Sequence, residues 1–302
     1  MKISNSYKLL VRGVQIIIHE GWQEFWKKYT GWRKRRDLSA ANSRSALTVD
    51  GKKIPYPKAS AYVGGGDYIA VGNALQEQLT ELCGLRPDEA VLDVGCGIGR
   101  IAVPLTEYLD NQGKYEGFDI VKNGIEWCKA NISSKYPNFN FKWAEIYNKA
   151  YNQAGKIMAR EFKFPYKDET FDLVFLTSVF THMMPEDMEH YLSEISRVLK
   201  KRGRCMITFF LLNEESAGMM KSGASTIYFK YGNNVYKCET EDAAESAIAY
   251  DENYVRSSFN REKLYIREPV YYGNWCGRTG FSEHHDKNIS KSYQDIIIAD
   301  KL

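Results

Sequence analysis

The feature that most constrains this chain is an apolar segment that ends in three closely spaced glycines. Residues 89–94 have the strand-like sequence Glu-Ala-Val-Leu-Asp-Val, and residues 95–99 follow at once with Gly-Cys-Gly-Ile-Gly. Glycine lacks a Cβ atom, so such a run permits a sharp turn and the close approach of a ligand to the bare backbone. The segment therefore predicts a ligand-binding turn between a buried strand and a helix.

Strand-like and helix-like patterns alternate along the chain on both sides of this turn. The pattern predicts strands at 89–94, 115–120, 139–146, 171–177 and 204–211, and helices at 72–85, 98–109, 123–135 and 185–200. Residues 264–272 and 293–300 are too close together for a crossover helix and predict an antiparallel pair at the sheet edge. The predicted fold is a doubly wound α/β domain with a mostly parallel, seven-stranded sheet and helices on both faces.

A basic, amphipathic segment precedes this domain. Apolar residues recur at helical spacing over 7–32, and residues 37–60 are polar, which predicts an N-terminal helix and a linker before a domain at 61–302. Residues 1–36 hold nine Lys or Arg against two Glu, so the rest of the chain is acidic although the net charge is +3. This balance disfavours nucleic acid as a partner of the rest of the chain. Two interpretations of residues 7–36 remain, namely peripheral contact with a membrane and packing against protein.

The composition excludes several other classes of protein. A hydrophobic content of 44% in 302 residues is too high for a disordered chain, and no apolar stretch approaches the ~18 residues of a membrane span. The six cysteines form no Cys-x-x-Cys pair, which predicts a reducing, cytoplasmic setting without a disulfide framework. Adjacent side chains of the Glu-His-His-Asp cluster at 283–286 point to opposite sides of an extended chain, so no metal site is expected.

Two parts of the domain resemble motifs of a known family. Residues 91–100, with the sequence Val-Leu-Asp-Val-Gly-Cys-Gly-Ile-Gly-Arg, resemble the first motif of class I S-adenosylmethionine-dependent methyltransferases. The spacing Gly-x-Gly-x-Gly differs from the Gly-x-Gly-x-x-Gly of Rossmann dehydrogenases. Residues 171–183 resemble the family's fourth strand and the loop after it. The resemblance spans about residues 62–302 and implies S-adenosylmethionine as the cofactor.

The resemblance also implies which residues hold that cofactor. Asp93 would hold the methionine end, Asp119 would accept both ribose hydroxyls, and Glu145 would take the place of the Asp that accepts from the adenine amino group. Glu145 is longer than the usual Asp, so backbone groups around Ile146 would share that contact. The full predicted cofactor site is Tyr68, Asp93, Gly95, Cys96, Gly97, Gly99, Arg100, Asp119, Ile120, Glu145, Ile146, Thr177 and Ser178.

The acceptor side is predicted from residues near the same edge of the sheet. His182 follows the fourth strand and is the candidate general base, with a loop-bracing role as the alternative. The long connection at 213–250 predicts a β-hairpin lid, whose Tyr228 could stack on an acceptor. Trp275 and Arg278 are further acceptor candidates, with packing and a salt bridge as their alternatives.

The predicted function is transfer of a methyl group to a small-molecule or saccharide acceptor, at oxygen. Three alternatives stay open at this point. One is a Rossmann oxidoreductase, which the spacing of the glycine turn contradicts. The second is an N-methyltransferase. The third is an inactive methyltransferase fold that serves as a peripheral membrane or scaffold protein, against which the intact Asp93, Asp119 and glycines argue.

Overall fold

The computed structural model describes residues 46–49, 51–55, 57, 67–149, 151–278 and 292–302. The strands, in chain order, are β1 (Ala46–Val49), β2 (Lys52–Pro55), β3 (Ala90–Val94), β4 (Lys114–Asp119), β5 (Phe139–Trp143), β6 (Phe171–Leu176), β7 (Leu199–Phe209), β8 (Leu211–Leu212), β9 (Tyr231–Gly232), β10 (Tyr236–Cys238), β11 (Ile248–Asp251), β12 (Leu264–Ile266) and β13 (Asp295–Lys301). The α-helices are α1 (Tyr68–Glu81), α2 (Ala102–Tyr108), α3 (Lys122–Cys128), α4 (Pro185–Val198), α5 (Glu214–Ser222) and α6 (Glu252–Arg261). Among the described helices, none has the length and apolar character needed to cross a membrane.

The core of the protein is a seven-stranded sheet in the order β12-β13-β7-β6-β3-β4-β5. The five strands from β7 to β5 are parallel, whereas β13 runs antiparallel to both β7 and β12. The doubly wound fold and its antiparallel edge pair are thus confirmed. Because β13 runs the other way, its first residue, Asp295, pairs with Phe209 at the end of β7. The start of β13 therefore joins the carboxyl ends of the parallel strands at one edge of the sheet.

Both faces of the sheet are covered, which explains the nearly continuous apolar sequence of its central strands. In β3, Leu92 and Val94 pack into the cluster that contains α4 and α6, and Val91 packs into the cluster that contains α1, α2 and α3. Asp93 is the one charged residue of β3, and it is buried. A charged residue in such a strand needs a specific partner, and the site described below provides one.

The first helix of the domain begins earlier than its apolar pattern predicts. The Asp67 side chain accepts hydrogen bonds from Ile69 N (3.1 Å) and Ala70 N (2.9 Å), so the helix begins at Tyr68 rather than at residue 72. An N-cap carboxylate satisfies backbone donors that have no partner within the helix. The capping residue, rather than the apolar spacing, determines where α1 starts.

The predicted linker at 37–60 contains two short strands that the sequence analysis did not predict. Residues 46–49 and 52–55 pair as the antiparallel strands β1 and β2, and Ile54 is fully buried against the α1–α3 side of the core. The sequence contains the signal for this hairpin, since Asp50-Gly51 is a favoured two-residue turn and Gly51 has φ +69°. The predicted helix at 7–32 and the cluster at 283–286 lie outside the described residues.

The insertion after β7 is more elaborate than the predicted hairpin. Strands β9 and β10 do form an antiparallel pair, but they belong to a four-stranded sheet in the order β8-β11-β10-β9. Of the first predicted strand of the hairpin, 226–231, only Tyr231 lies in β9, and at its other end Thr226 N and Oγ1 both donate to the carbonyl of Trp275 (3.1 and 2.8 Å). Helix α5 and helix α6 were not predicted. Asn213 and Asp251 cap these helices through their side chains, a signal that was present in the sequence.

The predicted edge strand at 264–272 is also shorter in the structure, where it is β12. Residues 264–266 pair with β13, whereas the predicted strand continued to residue 272. Pro269 interrupts it, since proline has no N–H to donate to a ladder. Beyond the proline, Tyr271 forms an isolated bridge to Ile296.

Candidate active site

A cavity of about 680 Å³ opens at the carboxyl edge of the sheet, above the glycine turn. Helix α1 and the turn form one wall, and the loops after β4, β5 and β6 form the others. In open α/β sheets, ligands bind at this edge, where the direction of strand order reverses, as it does here between β3 and β6. The cavity is therefore the candidate site.

The glycine turn has a conformation that larger residues would strain. Gly95, Gly97 and Gly99 have φ values of +81°, +56° and +69°. A Cβ at Gly95 would lie 2.5 Å from the Val179 side chain, and a Cβ at Gly99 would lie 2.7 Å from Ile132. Gly95 and Gly97 line the cavity, whereas Gly99 packs behind it. The glycines thus provide both the left-handed turn and the bare surface below the cavity.

Asp119 lies at the end of β4 and fixes the shape of this turn. Its Oδ2 accepts from Gly97 N (2.8 Å), and its Oδ1 accepts from Val121 N (2.7 Å). Burial raises the pKa of the Asp119 carboxyl, and the backbone N–H groups of Val121 and Gly97 oppose that shift. The carboxylate lines the cavity, where further lone pairs can accept from a ligand.

Asp93 has a different environment on the neighbouring strand. Its Oδ2 accepts a 2.6 Å hydrogen bond from the Tyr115 hydroxyl, and its Oδ1 is buried without a hydrogen-bond partner among the described residues. Burial raises the pKa of Asp93 to about 8. The residue lines the cavity just below the turn.

The other predicted cofactor residues divide into two groups. Those that line the cavity are Cys96, Arg100, Ile120, Ile146, Thr177 and Ser178. Tyr68 lies outside the lining, because its hydroxyl donates to the Ile98 carbonyl (2.9 Å) and braces the turn from behind. Glu145 is also outside the lining, and its carboxylate is 3.5 Å from Lys156 Nζ, so only its neighbour Ile146 faces the cavity.

His182 lies on the cavity wall, in a short 3₁₀ turn after β6. Its Nδ1 is 3.0 Å from the carbonyl oxygen of Glu245. A carbonyl can only accept, so Nδ1 carries the proton and the neutral ring has its lone pair on Nε2. Burial lowers the pKa of His182, which favours this neutral form.

Three groups near His182 were not predicted from the sequence. Asp187 is buried at the start of α4, where its Oδ1 accepts from Arg160 N (2.9 Å). Burial raises the pKa of Asp187 and of Glu245, and the Asp187 charge raises the pKa of Glu245 further. The Tyr151 ring meets the His182 ring edge-on at 6.2 Å. Tyr151 and Glu245 lie more than thirty residues from His182 in the sequence, so no local spacing relates them to it.

Two polar partners of the predicted residue Ser178, Thr208 and Gln294, were also missed. The Ser178 hydroxyl donates to Gln294 Oε1 (3.0 Å), and the Ser178 N–H donates to Thr208 Oγ1 (2.8 Å). Ser178 has φ +58°, a sparsely populated value for a residue other than glycine. All three line the cavity.

The predicted acceptor residues do not line the cavity. Trp275 is fully buried, and its Nε1 donates to Asp295 Oδ2 (2.8 Å). Arg278 is buried between Glu215 Oε2 (2.7 Å) and Asp295 Oδ1 (3.1 Å). Tyr228 is likewise absent from the lining. For Trp275 and Arg278 the structure thus favours the alternative interpretation, in which they join β13 to the insertion by packing and a salt bridge.

The comparisons with known proteins agree with this geometry. A family model described as a methyltransferase domain matches residues 85–253, which is more than half of the chain. The protein belongs to this family and is a class I S-adenosylmethionine-dependent methyltransferase. The predictions of family, enzyme class and cofactor are thereby confirmed.

Curated relatives match about half of the chain. A 2-phytyl-1,4-naphtoquinone methyltransferase from Nostoc sp. is 27% identical over 146 residues, which are 48% of this chain and 57% of that protein. A 27-O-demethylrifamycin SV methyltransferase from Amycolatopsis mediterranei is 28% identical over 150 residues, 48% of this chain and 47% of that protein. The chain therefore spans about half the length of these relatives.

A solved structure shows the same fold over a larger part of the chain. The protein PH0226 from Pyrococcus horikoshii superposes with a TM-score of 0.50 at 16% identity, covering 77% of this chain and 90% of that one. At this identity, the likeness concerns the fold alone.

The lining of the cavity fits the cofactor of the family. S-adenosylmethionine supplies a methyl group on a positively charged sulfur, and it carries an ammonium group as well. Four carboxyl groups, those of Asp93, Asp119, Asp187 and Glu245, line the cavity against one guanidinium, that of Arg100, among the described residues. The buried Oδ1 of Asp93 also lacks a donor that such a cation could provide.

Proposed function

We propose that this enzyme methylates a hydroxyl oxygen of a small molecule or saccharide, with His182 as the general base. The observation that carries the proposal is the hydrogen bond from His182 Nδ1 to the Glu245 carbonyl, because it leaves the basic Nε2 as the atom that can take a proton. An oxygen acceptor benefits from such a base, whereas an amine only needs to arrive unprotonated. This contrast favours oxygen over nitrogen.

The cofactor would occupy the part of the cavity above β3, β4 and β5. Asp119 would accept the ribose hydroxyls, and Ile120 and Ile146 would flank the adenine. Thr177 and Ser178, at the end of β6, would lie beside the methionine end. Since Glu145 is outside the lining, backbone groups near Ile146 would take over its predicted contact with the adenine.

The remaining wall suits an acceptor of small size with hydroxyl groups. The cavity volume of about 680 Å³ is within the range of about 300–1,000 Å³ for small-molecule sites. Tyr147 and Tyr151 expose their rings at the wall, and Asp187 and Glu245 can accept from hydroxyl groups. These tyrosines replace Tyr228 as the proposed stacking surface for a sugar or aromatic ring.

The residues on the wall then have distinct parts in the reaction. The tyrosines and carboxylates would hold the acceptor so that its oxygen is aligned with the reacting methyl group, which is the main requirement of an in-line displacement. His182 would take the hydroxyl proton as the new carbon–oxygen bond forms. The names of two relatives, which refer to a naphthoquinone and to a rifamycin, support a small-molecule acceptor.

A panel of matched acceptors tests this proposal. Methyl transfer is measured with a cofactor labelled in its methyl group, using hydroxyl compounds such as methyl glycosides and phenols, each paired with the analogue in which an amine replaces the hydroxyl. We expect label in the hydroxyl member of a pair. Label only in amines would contradict oxygen transfer, and label only in material retained by a small-pore filter would contradict a small acceptor.

We also propose that residues 7–36 bind an acidic membrane surface, consistent with a cytoplasmic enzyme that is peripheral at the membrane. Clustered Lys and Arg gain roughly 1 kcal/mol each near such a surface. The protein should float with vesicles that contain phosphatidylserine, and it should detach at about 1 M salt, where the Debye length is only about 3 Å. Replacement of Arg33, Lys34, Arg35 and Arg36 by Ser should abolish flotation.

Vesicles of neutral lipid serve as the control for this experiment. If the protein floated equally well with neutral and with acidic vesicles, attraction between its basic residues and acidic lipid would not explain the binding. Retention in the soluble fraction at low salt, together with aggregation when residues 1–36 are deleted, would show that the amphipathic stripe packs against protein instead.

A further inference from the structure

The buried pair of Asp93 and Tyr115 connects the two central strands beneath the cavity. Tyr115 is fully buried on β4, and its ring stacks on Phe139 with centroids 5.1 Å apart. Its hydroxyl donates to Asp93 Oδ2 at 2.6 Å. Since the ring is held by packing and the hydroxyl has a single proton, this bond fixes the direction of the Asp93 carboxyl.

The second oxygen of Asp93 is in an unusual state. It is buried, and none of the described residues donates to it. A buried carboxylate oxygen without a donor is costly, so such an atom is explained by a proton on the carboxyl or by a ligand that supplies a donor. Asp93 is among the residues that line the cavity, so a ligand bound there would lie beside this carboxyl.

The electrostatic surroundings of Asp93 favour its protonated form when the cavity holds no cation. The titratable groups around it are the Tyr115 and Tyr166 hydroxyls, the Cys96 and Cys128 thiols and the Asp119 carboxylate. Burial raises the pKa of Asp93 to about 8, the Tyr115 hydrogen bond opposes this shift, and Asp119 adds to it. At neutral pH most molecules would therefore carry a proton on Asp93.

We propose that Tyr115 is a positioning residue that holds Asp93 ready for the ammonium group of the cofactor, and that Asp93 releases one proton to solvent when this cation binds. Asp93 Oδ1 would accept one hydrogen bond from the ammonium, which would keep its own protons, so only the carboxyl would change its protonation state. No covalent bond of the cofactor changes in this step. The inference rests on the proposed contact of Asp93 with the methionine end.

Binding without an acceptor tests the proposal, so its outcome is independent of the proposed reaction. The probes are S-adenosylhomocysteine and 5′-methylthioadenosine, which share the nucleoside but differ in the amino-acid part. Calorimetry at pH 7 in phosphate and in Tris reports the number of protons released, because these buffers differ in their enthalpy of ionisation. We expect about one proton with S-adenosylhomocysteine and none with 5′-methylthioadenosine.

The pH dependence should have a definite sign. Asp93 has a raised pKa in the free enzyme and a lower one beside the ammonium, so affinity for S-adenosylhomocysteine should rise between pH 6.0 and 7.5, approaching tenfold per unit. Affinity for 5′-methylthioadenosine should stay flat over the same range. A flat profile for both ligands, with no proton released, would overturn the proposal.

Tyr115→Phe tests the positioning role, and Tyr254→Phe is its matched control. Both changes remove a tyrosine hydroxyl from a carboxylate, but the Tyr254 bond to Glu189 Oε1 (2.7 Å) lies away from the cavity. Tyr115→Phe should weaken S-adenosylhomocysteine binding by about 10-fold and leave 5′-methylthioadenosine within about twofold. Equal weakening of both ligands would mean that Tyr115 only supports the fold.

Asp93→Asn separates failure of this inference from failure of the cofactor contact on which it rests. The variant keeps the size of the side chain but has no proton to release. If it binds S-adenosylhomocysteine as tightly as the wild type, Asp93 does not contact the ligand at all. If binding weakens but the wild type releases no proton, the contact exists and only the proton coupling is wrong.

Discussion

Replacement of His182 by alanine should lower the turnover number by about 100- to 10,000-fold, the usual contribution of a positioned general base. Cofactor affinity should change little, because the turn, Asp119 and Asp93 keep their own contacts. The rate is measured under single-turnover conditions with an acceptor from the panel above, and affinity is measured with S-adenosylhomocysteine. A rate near that of the wild type would reduce His182 to a brace for its loop.

Two variants separate proton transfer from bracing. His182→Gln can still donate to the Glu245 carbonyl but cannot take a proton, so it should be nearly as slow as the alanine variant. His190→Ala is the matched control, since this histidine bonds only to the Phe162 carbonyl (3.0 Å) and lies outside the cavity lining. If the His182→Gln variant had the turnover number of the wild type, the role of His182 as a base would be contradicted.

The pH profile provides an independent check. Burial lowers the pKa of His182 below its ordinary value of 6.5, and the neutral ring is the basic form. Turnover should therefore be constant through neutral pH and should fall as the pH drops below this lowered pKa. In the His182→Gln variant this acidic decline should disappear, and its persistence would assign the decline to another group.

Replacement of Asp119 by alanine should weaken cofactor binding by roughly 1.5–3 kcal/mol, or about 10- to 100-fold, the scale for hydrogen bonds to a charged group. The loss includes the proposed contacts with the ribose and also the bonds from Gly97 N and Val121 N that shape the turn. Titration calorimetry with S-adenosylhomocysteine measures it. Affinity within about twofold of the wild type would contradict the ribose contact.

Asp110→Ala is the matched control for this experiment. Asp110 also accepts two backbone hydrogen bonds, from Gln112 N (2.8 Å) and Gly113 N (3.0 Å), but it lies outside the cavity lining. Both variants should lose stability, as judged by the melting temperature, whereas only Asp119→Ala should lose affinity. Equal loss of affinity in the two variants would mean that the effect is purely structural.

The secondary-structure elements that the sequence analysis missed could not be found from the periodicity of apolar residues. The hairpin at 46–55 and helices α5 and α6 are short elements whose signals are single turn or cap residues, such as Gly51 and Asn213. Such signals are easily outweighed by a polar composition that resembles a linker. The predicted strand at 226–231 failed for another reason, since Thr226 bonds to a residue almost fifty positions away.

The residues predicted to bind the acceptor show even more clearly that local sequence patterns do not reveal contacts between distant parts of the chain. Trp275 and Arg278 were plausible from their place after an edge strand, yet Trp275 Nε1 and Arg278 Nη1 both donate to the buried Asp295. Nothing local in the sequence indicates that Asp295 would be buried beside them. Conversely, Glu245 faces the cavity because the insertion that carries it packs against His182.

The sequence by itself determined the class of fold, the glycine turn and the positions of Asp93 and Asp119. These features depend on short-range order, because strand periodicity, a left-handed glycine turn and the residue at a strand end are each specified within a few positions. Only the tertiary structure decided which of the other polar residues meet in the cavity. Their side chains come from loops far apart in the chain, and the packing of those loops selects some residues for the site and buries others as ion pairs in the scaffold.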